Sequence, residues 1–180
     1  HQHPGIAKDL ALVAIDGRTA FGNGRITPAG PLRETVADGM ARAHAAIIVG
    51  EDMHGVAARL GNLQVLQAQL VPGPEAAGLR GRRVVAFAGI GDPRKFFDTL
   101  RSIGAKIVAK HPFADHYGFQ QADVQPILDE AFAIDAVPVT TAKDAVRLAP
   151  DQRQQVNVLS VDVAWSDAAA LDRLLAGVLR

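Results

Sequence analysis

The stretch VVAFAGIGDPRKFF, Val84 to Phe97, decides the fold because it joins three local signals in one short segment. Its apolar first half is typical of a buried β-strand. Two glycines spaced G-x-G then mark a turn, and Asp92 followed by Pro93 supplies the N-cap and the first position of a helix. A strand that runs through a turn into a helix is the repeating unit of α/β proteins. The segment therefore predicts an α/β fold.

The two glycines also raise the question of a nucleotide site. A dinucleotide-binding turn has the pattern G-x-G-x-x-G, in which the third glycine lets the helix pack closely while its amides face the pyrophosphate. Here Arg94 occupies the third glycine position, and no acidic residue follows at the end of a second strand, at the distance expected for a ribose contact. This departure favours a plain strand-to-helix turn over a dinucleotide site.

Strands and helices alternate on both sides of this stretch. Residues Asp92–Gly104 and Gln121–Asp135 carry apolar side chains at helical spacing and predict two amphipathic helices. Such alternation is typical of parallel strands linked by crossover helices. The predicted strands are the apolar runs Leu10–Asp16, Ala45–Gly50, Val84–Ile90, Lys106–Phe113 and Ala136–Ala142.

The composition limits the class of protein. Of the 180 residues, 48% are apolar, which is enough to build a core. Nineteen basic and 19 acidic residues cancel, so we expect no nucleic-acid partner that is bound through an overall positive field. The absence of cysteine excludes disulfides and agrees with a cytoplasmic location. We find no signal peptide or membrane-spanning run and expect a soluble chain that, starting at His1, is a piece of a longer protein.

Two other segments, Leu63–Pro72 and Val156–Trp165, alternate polar and apolar residues as strands with one exposed face do. If they pair antiparallel, they form a linker through which the chain leaves one domain, builds a second and returns. We predict a linker of residues 64–72 and 156–165, a second α/β domain of residues 73–155, and a first domain of residues 1–63 with 166–180.

The segment KHPFADHYGF, Lys110 to Phe119, is the densest group of polar residues, and it follows a predicted strand. Ligands bind at the carboxyl ends of strands in open α/β sheets. His116, beside Asp115, could exchange protons near neutral pH or be oriented by a carboxylate. The alternatives are an ordinary surface histidine and a metal site that combines both residues with His111.

A second candidate is FGNGRITPAGPLRE, Phe21 to Glu34, which predicts a long irregular loop. Arg25 and Arg33 carry forked donors suited to phosphate oxygens, and Glu34 could orient one of them. The alternative is a solvated loop whose arginines pair with nearby acids.

A third candidate is TTAKDAVRL, Thr140 to Leu148, where Lys143 and Asp144 could neutralise each other at the start of a helix. No G-x-x-x-x-G-K-[ST] phosphate loop and no G-x-S-x-G nucleophile turn occurs in the 180 residues.

Taken together, several segments resemble the tetraacyldisaccharide 4'-kinases, the lipid A 4'-kinases of Gram-negative bacteria, in order and spacing over nearly the whole chain. The resemblance rests on HQH, AKDL, DGRTAFGNGRITPAGPLRE, FAGIGDPRKFF, FADHYGF and TTAKDAVRL.

This resemblance implies a P-loop kinase of two lobes joined by a two-stranded antiparallel linker. The chain then corresponds to a truncated P-loop core plus a second, Rossmann-like α/β domain. It also implies ATP- and Mg²⁺-dependent phosphoryl transfer to the 4' hydroxyl of a lipid A disaccharide precursor. The expected location is the cytoplasmic face of the inner membrane, reached through an N-terminal segment that the 180 residues lack. Alone, the chain is expected to be inactive. The alternative is a non-catalytic small-molecule or nucleotide-binding α/β module.

The resemblance also implies roles for individual residues. His116, next to Asp115, matches the family histidine that partners an upstream catalytic aspartate across the cleft between the lobes. Arg33 and Glu34 match the family's P-L-R-E motif near the nucleotide and lipid headgroup. Arg25 is assigned to phosphate binding from its forked donors alone.

The first three residues match the end of the family's D-D-G-x-Q-H motif, so Gln2 and His3 are assigned to substrate or phosphate binding. The two aspartates of that motif, which face the metal, precede this sequence, and we therefore assign no metal ligand in it. The sequence departs from the family at Ala142, where glutamate is frequent, and at Tyr117, where a second histidine is common. These departures leave the role of Lys143 open and imply that one histidine suffices.

Overall fold

The computed structural model describes residues 7–178. The chain divides into two compact units. The first unit runs to Leu70 and resumes at Val163, and the second unit is Val71–Asp162. We describe each unit by itself.

The first unit contains a mixed series of strands and short helices. Its elements are β1 (Leu12–Asp16), α1 (Val36–Ala41), β2 (Ala45–Val49), α2 (Val56–Arg59) and β3 (Gln64–Pro72). Strands β1, β2 and β3 are neighbours in that order, and both pairs are parallel. The sheet packs on a core that includes Ile15, Phe21 and Ile48.

The second unit alternates strands and helices as the sequence predicts. Its strands run parallel in the order β5-β4-β6-β7, with β4 next to both β5 and β6. The elements are α3 (Ala76–Leu79), β4 (Arg83–Ala88), α4 (Pro93–Ser102), β5 (Lys106–Pro112), α5 (Gln121–Ala133), β6 (Val137–Thr141), α6 (Ala142–Ala145), α7 (Pro150–Arg153) and β7 (Asn157–Leu159).

Strand β4 lies at the centre of this unit, and residues 84–88 are fully buried. Because successive side chains of a strand point to opposite faces, β4 contributes to two cores. Val84 and Ala86 pack with Leu100 of α4. Val85 and Phe87 pack with the apolar face of α5. The apolar run from Val84 to Ala88 therefore contributes side chains to both cores.

Both long helices begin where the sequence predicts. The Asp92 side chain accepts a hydrogen bond from the Arg94 N–H at 3.2 Å, and Pro93 takes the first helical position. Gln120 and Asp123 form a reciprocal capping box at the start of α5. Val124, Ile127, Leu128 and Ala131 are buried, as the helical spacing indicates.

The segment 156–165 differs from the single strand that we predicted. It splits at Ser160 into β7, which pairs parallel with β6, and β8 (Val161–Trp165), which neighbours β3 in the first sheet. The Ser160 carbonyl accepts a hydrogen bond from the Gly73 N–H at 2.9 Å, and its hydroxyl donates to Glu75 at 2.9 Å. Alternation of polar and apolar residues sets the faces of a strand but does not say which sheet it joins.

The last element is α8 (Ala168–Ala176). No described helix is both long and apolar enough to cross a bilayer. The two passages between the units fall within β3 and β8, after Leu70 and after Asp162. The predicted domain and linker boundaries stay a prediction.

Candidate functional site

The carboxyl edge of the second sheet brings together the loops that follow β4, β5 and β6. All strands of this sheet run parallel, so these three loops share one edge. This edge is where open α/β sheets bind ligands. Gly89 follows β4, Asp115 and His116 follow β5, and Asp144 follows β6.

Gly89 is the point at which the three loops meet. Its N–H donates to Asp144 Oδ2 at 3.0 Å, and its carbonyl accepts from the His116 N–H at 3.0 Å. A Cβ atom at this position would lie 3.1 Å from the Tyr117 Cβ and 3.2 Å from the Ala114 carbonyl oxygen. The first glycine of the G-x-G turn is therefore needed for close packing of two loops.

His116 projects its ring from this edge. Its side chain is 85% exposed, and Nδ1 lies 2.9 Å from Asp115 Oδ1. Because the contact with Asp115 involves Nδ1, Nε2 is left for a further partner. The backbone of His116 has φ of 56°, a left-handed conformation that residues other than glycine rarely adopt. Such conformations concentrate at functional sites.

His111 does not join Asp115 and His116. Its Nε2 contacts Glu130 of α5 at 2.6 Å instead. Within residues 7–178, no group of three or more potential ligands is arranged to hold a metal ion. The metal alternative for this loop thus receives no support from the geometry.

Aromatic rings hold the loop that carries His116. The ring centroids of Phe113 and Tyr117 lie 4.9 Å apart, and those of Tyr117 and Phe119 lie 5.4 Å apart. Phe119 in turn meets Phe87 of β4 edge to face at 5.8 Å. Aromatic pairs of this kind add stability beyond their buried area. The exposed histidine thus lies between residues that are anchored to the core.

Tyr117 gives a direct spectroscopic test of this loop. Its hydroxyl donates to Asp123 at 3.2 Å, and this hydrogen bond to a carboxylate raises the pKa of Tyr117 above its usual value. It is the only tyrosine in the sequence, so absorbance at 295 nm reports on it alone. We expect the titration midpoint of Tyr117 to be higher in the folded chain than in the chain unfolded in guanidinium. Asp123→Asn should lower the midpoint of the folded chain.

Because the pKa of Tyr117 is raised in the folded chain, its hydrogen bond to Asp123 stabilises the fold in a pH-dependent way. The contribution of this hydrogen bond is complete below the unfolded pKa of about 10 and is lost as pH rises through the folded pKa. Asp129→Asn is the matched control, because Asp129 lies on the same helix but accepts a hydrogen bond from Gln125 and not from Tyr117. Equal midpoints in the folded and unfolded chains would contradict the contact.

Three of the predicted phosphate-binding residues, Arg25, Arg33 and Glu34, lie in the loop between β1 and α1. This loop is irregular, as predicted, and is held by bonds such as that from Asn23 Nδ2 to the Ala29 carbonyl at 2.9 Å. Arg33 and Glu34 line a cavity of about 220 Å³ beside β1. Arg25 is exposed and is not among the described residues that line it.

Glu34 has a partner outside this loop. Its carboxylate pairs with Arg42 at 2.5 Å. We had expected Glu34 to orient Arg25 or Arg33. Gln2 and His3 lie outside the described residues. The binding roles of all these side chains stay predictions.

Sequence reasoning also missed the contacts of Asp144. We expected it to pair with Lys143, but its ion pair is with Arg147, at 3.3 Å. The spacing of i and i+3 on a helical turn is the signal that could have indicated this pair. Nothing in the sequence indicated that Asp144 would be completely buried.

Comparison with known proteins gives a consistent assignment. The family described as tetraacyldisaccharide-1-P 4'-kinase matches residues 1–180. A tetraacyldisaccharide 4'-kinase of Rhodospirillum rubrum is 57% identical, over 99% of this chain and 57% of its own length. One from Rhodospirillum centenum is 56% identical, over 99% of this chain and 53% of its own length. The chain thus spans just over half the length of these relatives.

A solved structure shares the fold. The crystal structure of LpxK from Aquifex aeolicus, described as an "apo" form in complex with ATP, matches with a TM-score of 0.65. The match covers 99% of this chain and 55% of the other, at 20% identity. The resemblance found in the sequence is confirmed, and the chain belongs to the tetraacyldisaccharide-1-P 4'-kinase family.

Proposed function

We propose that the full-length gene product, with whatever sequence precedes residue 1, transfers the γ-phosphoryl group of ATP to the 4' hydroxyl of a tetraacyldisaccharide 1-phosphate. The observation that carries this proposal is the family match over residues 1–180 together with close relatives that bear this name. The solved neighbour with bound ATP agrees with the nucleotide.

His116 is the residue of the second unit that we assign to the reaction. Phosphoryl transfer depends on orienting the nucleophile and on offsetting charge, with little covalent work for the protein. The contact of Nδ1 with Asp115 favours one orientation of the ring. In its protonated form the imidazole carries a donor on each nitrogen, so Nε2 can donate to the upstream aspartate that the family resemblance implies. That aspartate accepts the proton of the sugar hydroxyl.

Arg33 is the residue of the first unit that we assign to phosphate. A guanidinium group can bind two phosphate oxygens at once and offset charge that grows on the transferred group. Glu34 supports the same wall of the cavity through its pair with Arg42. We also assign Arg25, Gln2 and His3 to substrate or phosphate binding.

A phosphate loop is part of the proposal because the family resemblance implies a P-loop kinase, and Mg²⁺ is part of it because bound Mg²⁺ neutralises charge in phosphoryl transfer from ATP. The described residues do not supply ligands that fit the metal, and we assign it no step here. On the family resemblance, we also propose that the enzyme is peripheral and acts at the cytoplasmic face of the inner membrane.

The assay that tests the function follows transfer of labelled phosphate from ATP to the disaccharide precursor. We expect the full-length protein with Mg²⁺ to give the 4'-phosphorylated product and the 180-residue chain alone to give none. Turnover by the 180-residue chain alone would contradict the proposal that residues outside it are needed for the reaction. Binding of ATP to a full-length protein that gives no product would favour a nucleotide-binding module.

A further inference from the structure

Asp144 is a buried carboxylate with an unusual set of contacts. Its side chain is 0% exposed. Oδ2 accepts from the Gly89 N–H at 3.0 Å and from the Thr141 hydroxyl at 2.7 Å. Oδ1 makes no hydrogen bond among the described residues and lies 3.3 Å from Arg147 Nη2. A buried carboxylate is costly unless it is paired, so this pair ties Asp144 to Arg147.

Arg147 extends the same network to the backbone around His116. Its Nη1 donates to the Tyr117 carbonyl at 3.2 Å and to the Gly89 carbonyl at 3.4 Å. The Gly89 carbonyl also accepts from the His116 N–H. The His116 N–H is therefore linked to the Asp144–Arg147 pair through the Gly89 carbonyl, and the carbonyl of the following residue, Tyr117, is bound to Arg147 directly.

The backbone of His116 needs such support. A left-handed conformation at a residue with a Cβ atom is unfavourable and persists only where surrounding contacts impose it. The ring itself is 85% exposed and supplies little packing. Asp115 orients the ring, so the contacts that hold the backbone of His116 are those of the main chain.

From this arrangement we propose that Asp144 and Arg147 are positioning residues that hold the His116 backbone in the conformation needed for phosphoryl transfer. The kinetic part of the proposal rests on the proposed function, whereas the structural part does not. Neither residue needs to touch nucleotide or sugar, because both act through Gly89 and Tyr117.

The structural part is tested on the 180-residue chain by amide hydrogen exchange. Arg147→Met removes the guanidinium and keeps most of the aliphatic stem. We expect exchange of the His116 amide, relative to the amides of β4, to become about tenfold faster, as for loss of a charge-assisted hydrogen bond. Arg101→Met is the matched control, since Arg101 also forms an i,i+3 pair, with Asp98 at 2.6 Å. It should leave the ratio unchanged.

The kinetic part is tested in the full-length protein. We expect Arg147→Met to lower kcat by about 10- to 100-fold, the scale of a small misplacement, while KM for ATP stays within about twofold. Arg147→Lys keeps the positive charge beside Asp144 but lacks the planar guanidinium group with its several N–H donors. Its kcat should lie between those of Arg147→Met and the unchanged protein. Asp144→Asn, which keeps the shape and removes the charge, should resemble Arg147→Met.

A double-mutant cycle separates positioning from a general loss of structure. If Arg147 acts only through His116, then Arg147→Met should cause no further loss of kcat in a His116→Ala background. Losses that multiply would overturn the proposal, as would an unchanged exchange ratio at His116. A full-length protein without kinase activity would refute the proposed function, and the exchange measurement would still decide the structural part.

Discussion

Replacing His116 with alanine in the full-length protein is expected to lower kcat by about 10²- to 10⁴-fold, the usual contribution of a positioned proton-transfer group. The imidazole is exposed and held by Asp115 at 2.9 Å, so its removal leaves the core intact. We therefore expect the thermal unfolding temperature to change little. Steady-state phosphoryl transfer and a thermal melt on the same preparations measure the two quantities.

Two variants sharpen this comparison. Asparagine tolerates the left-handed backbone at position 116, so His116→Asn removes the imidazole without added strain and should be nearly as slow as His116→Ala. His111→Ala removes another histidine that is paired with a carboxylate, Glu130, and should keep kcat within about twofold. Parallel losses of kcat and stability in His116→Ala would indicate a structural role instead.

Replacing Phe87 with alanine is expected to destabilise the protein by about 3–5 kcal/mol, the usual cost of removing a fully buried aromatic ring. Phe87 is 0% exposed on the central strand and meets Phe119 edge to face. Loss of the ring leaves a cavity and removes a contact of the aromatic cluster below the His116 loop. Urea unfolding followed by far-ultraviolet circular dichroism measures the change.

Phe132→Ala provides the matched control for Phe87→Ala. Phe132 lies on α5 but is 90% exposed, so its removal should change the stability by no more than about 0.5 kcal/mol. Similar losses in the two variants would contradict the assignment of Phe87 to the core.

The second unit was largely predictable because its signals are local. The apolar run of β4 and the cap at Asp92 depend on neighbouring residues, and they predicted the right elements within a few positions. The same holds for the apolar face of α5. Patterns of this kind reflect the geometry of one strand or one helix.

The connections between elements were less predictable. The split at Ser160 depends on which sheet each half joins, and this choice is made by partners far away in sequence. The bond from Gly89 to Asp144 spans 55 residues, and that from Arg147 to Gly89 spans 58. No periodicity records such contacts, so the sequence indicated His116 as a candidate but not the residues that hold its backbone.

The position of β4 between two cores has a consequence for how the second unit melts. Alternate residues of this strand belong to opposite cores, so neither side can separate from the sheet while the other stays ordered. The unit should then unfold cooperatively, as a single foldon. The segment that bears the imidazole belongs to the same foldon, because Phe119 anchors it to Phe87 of this strand.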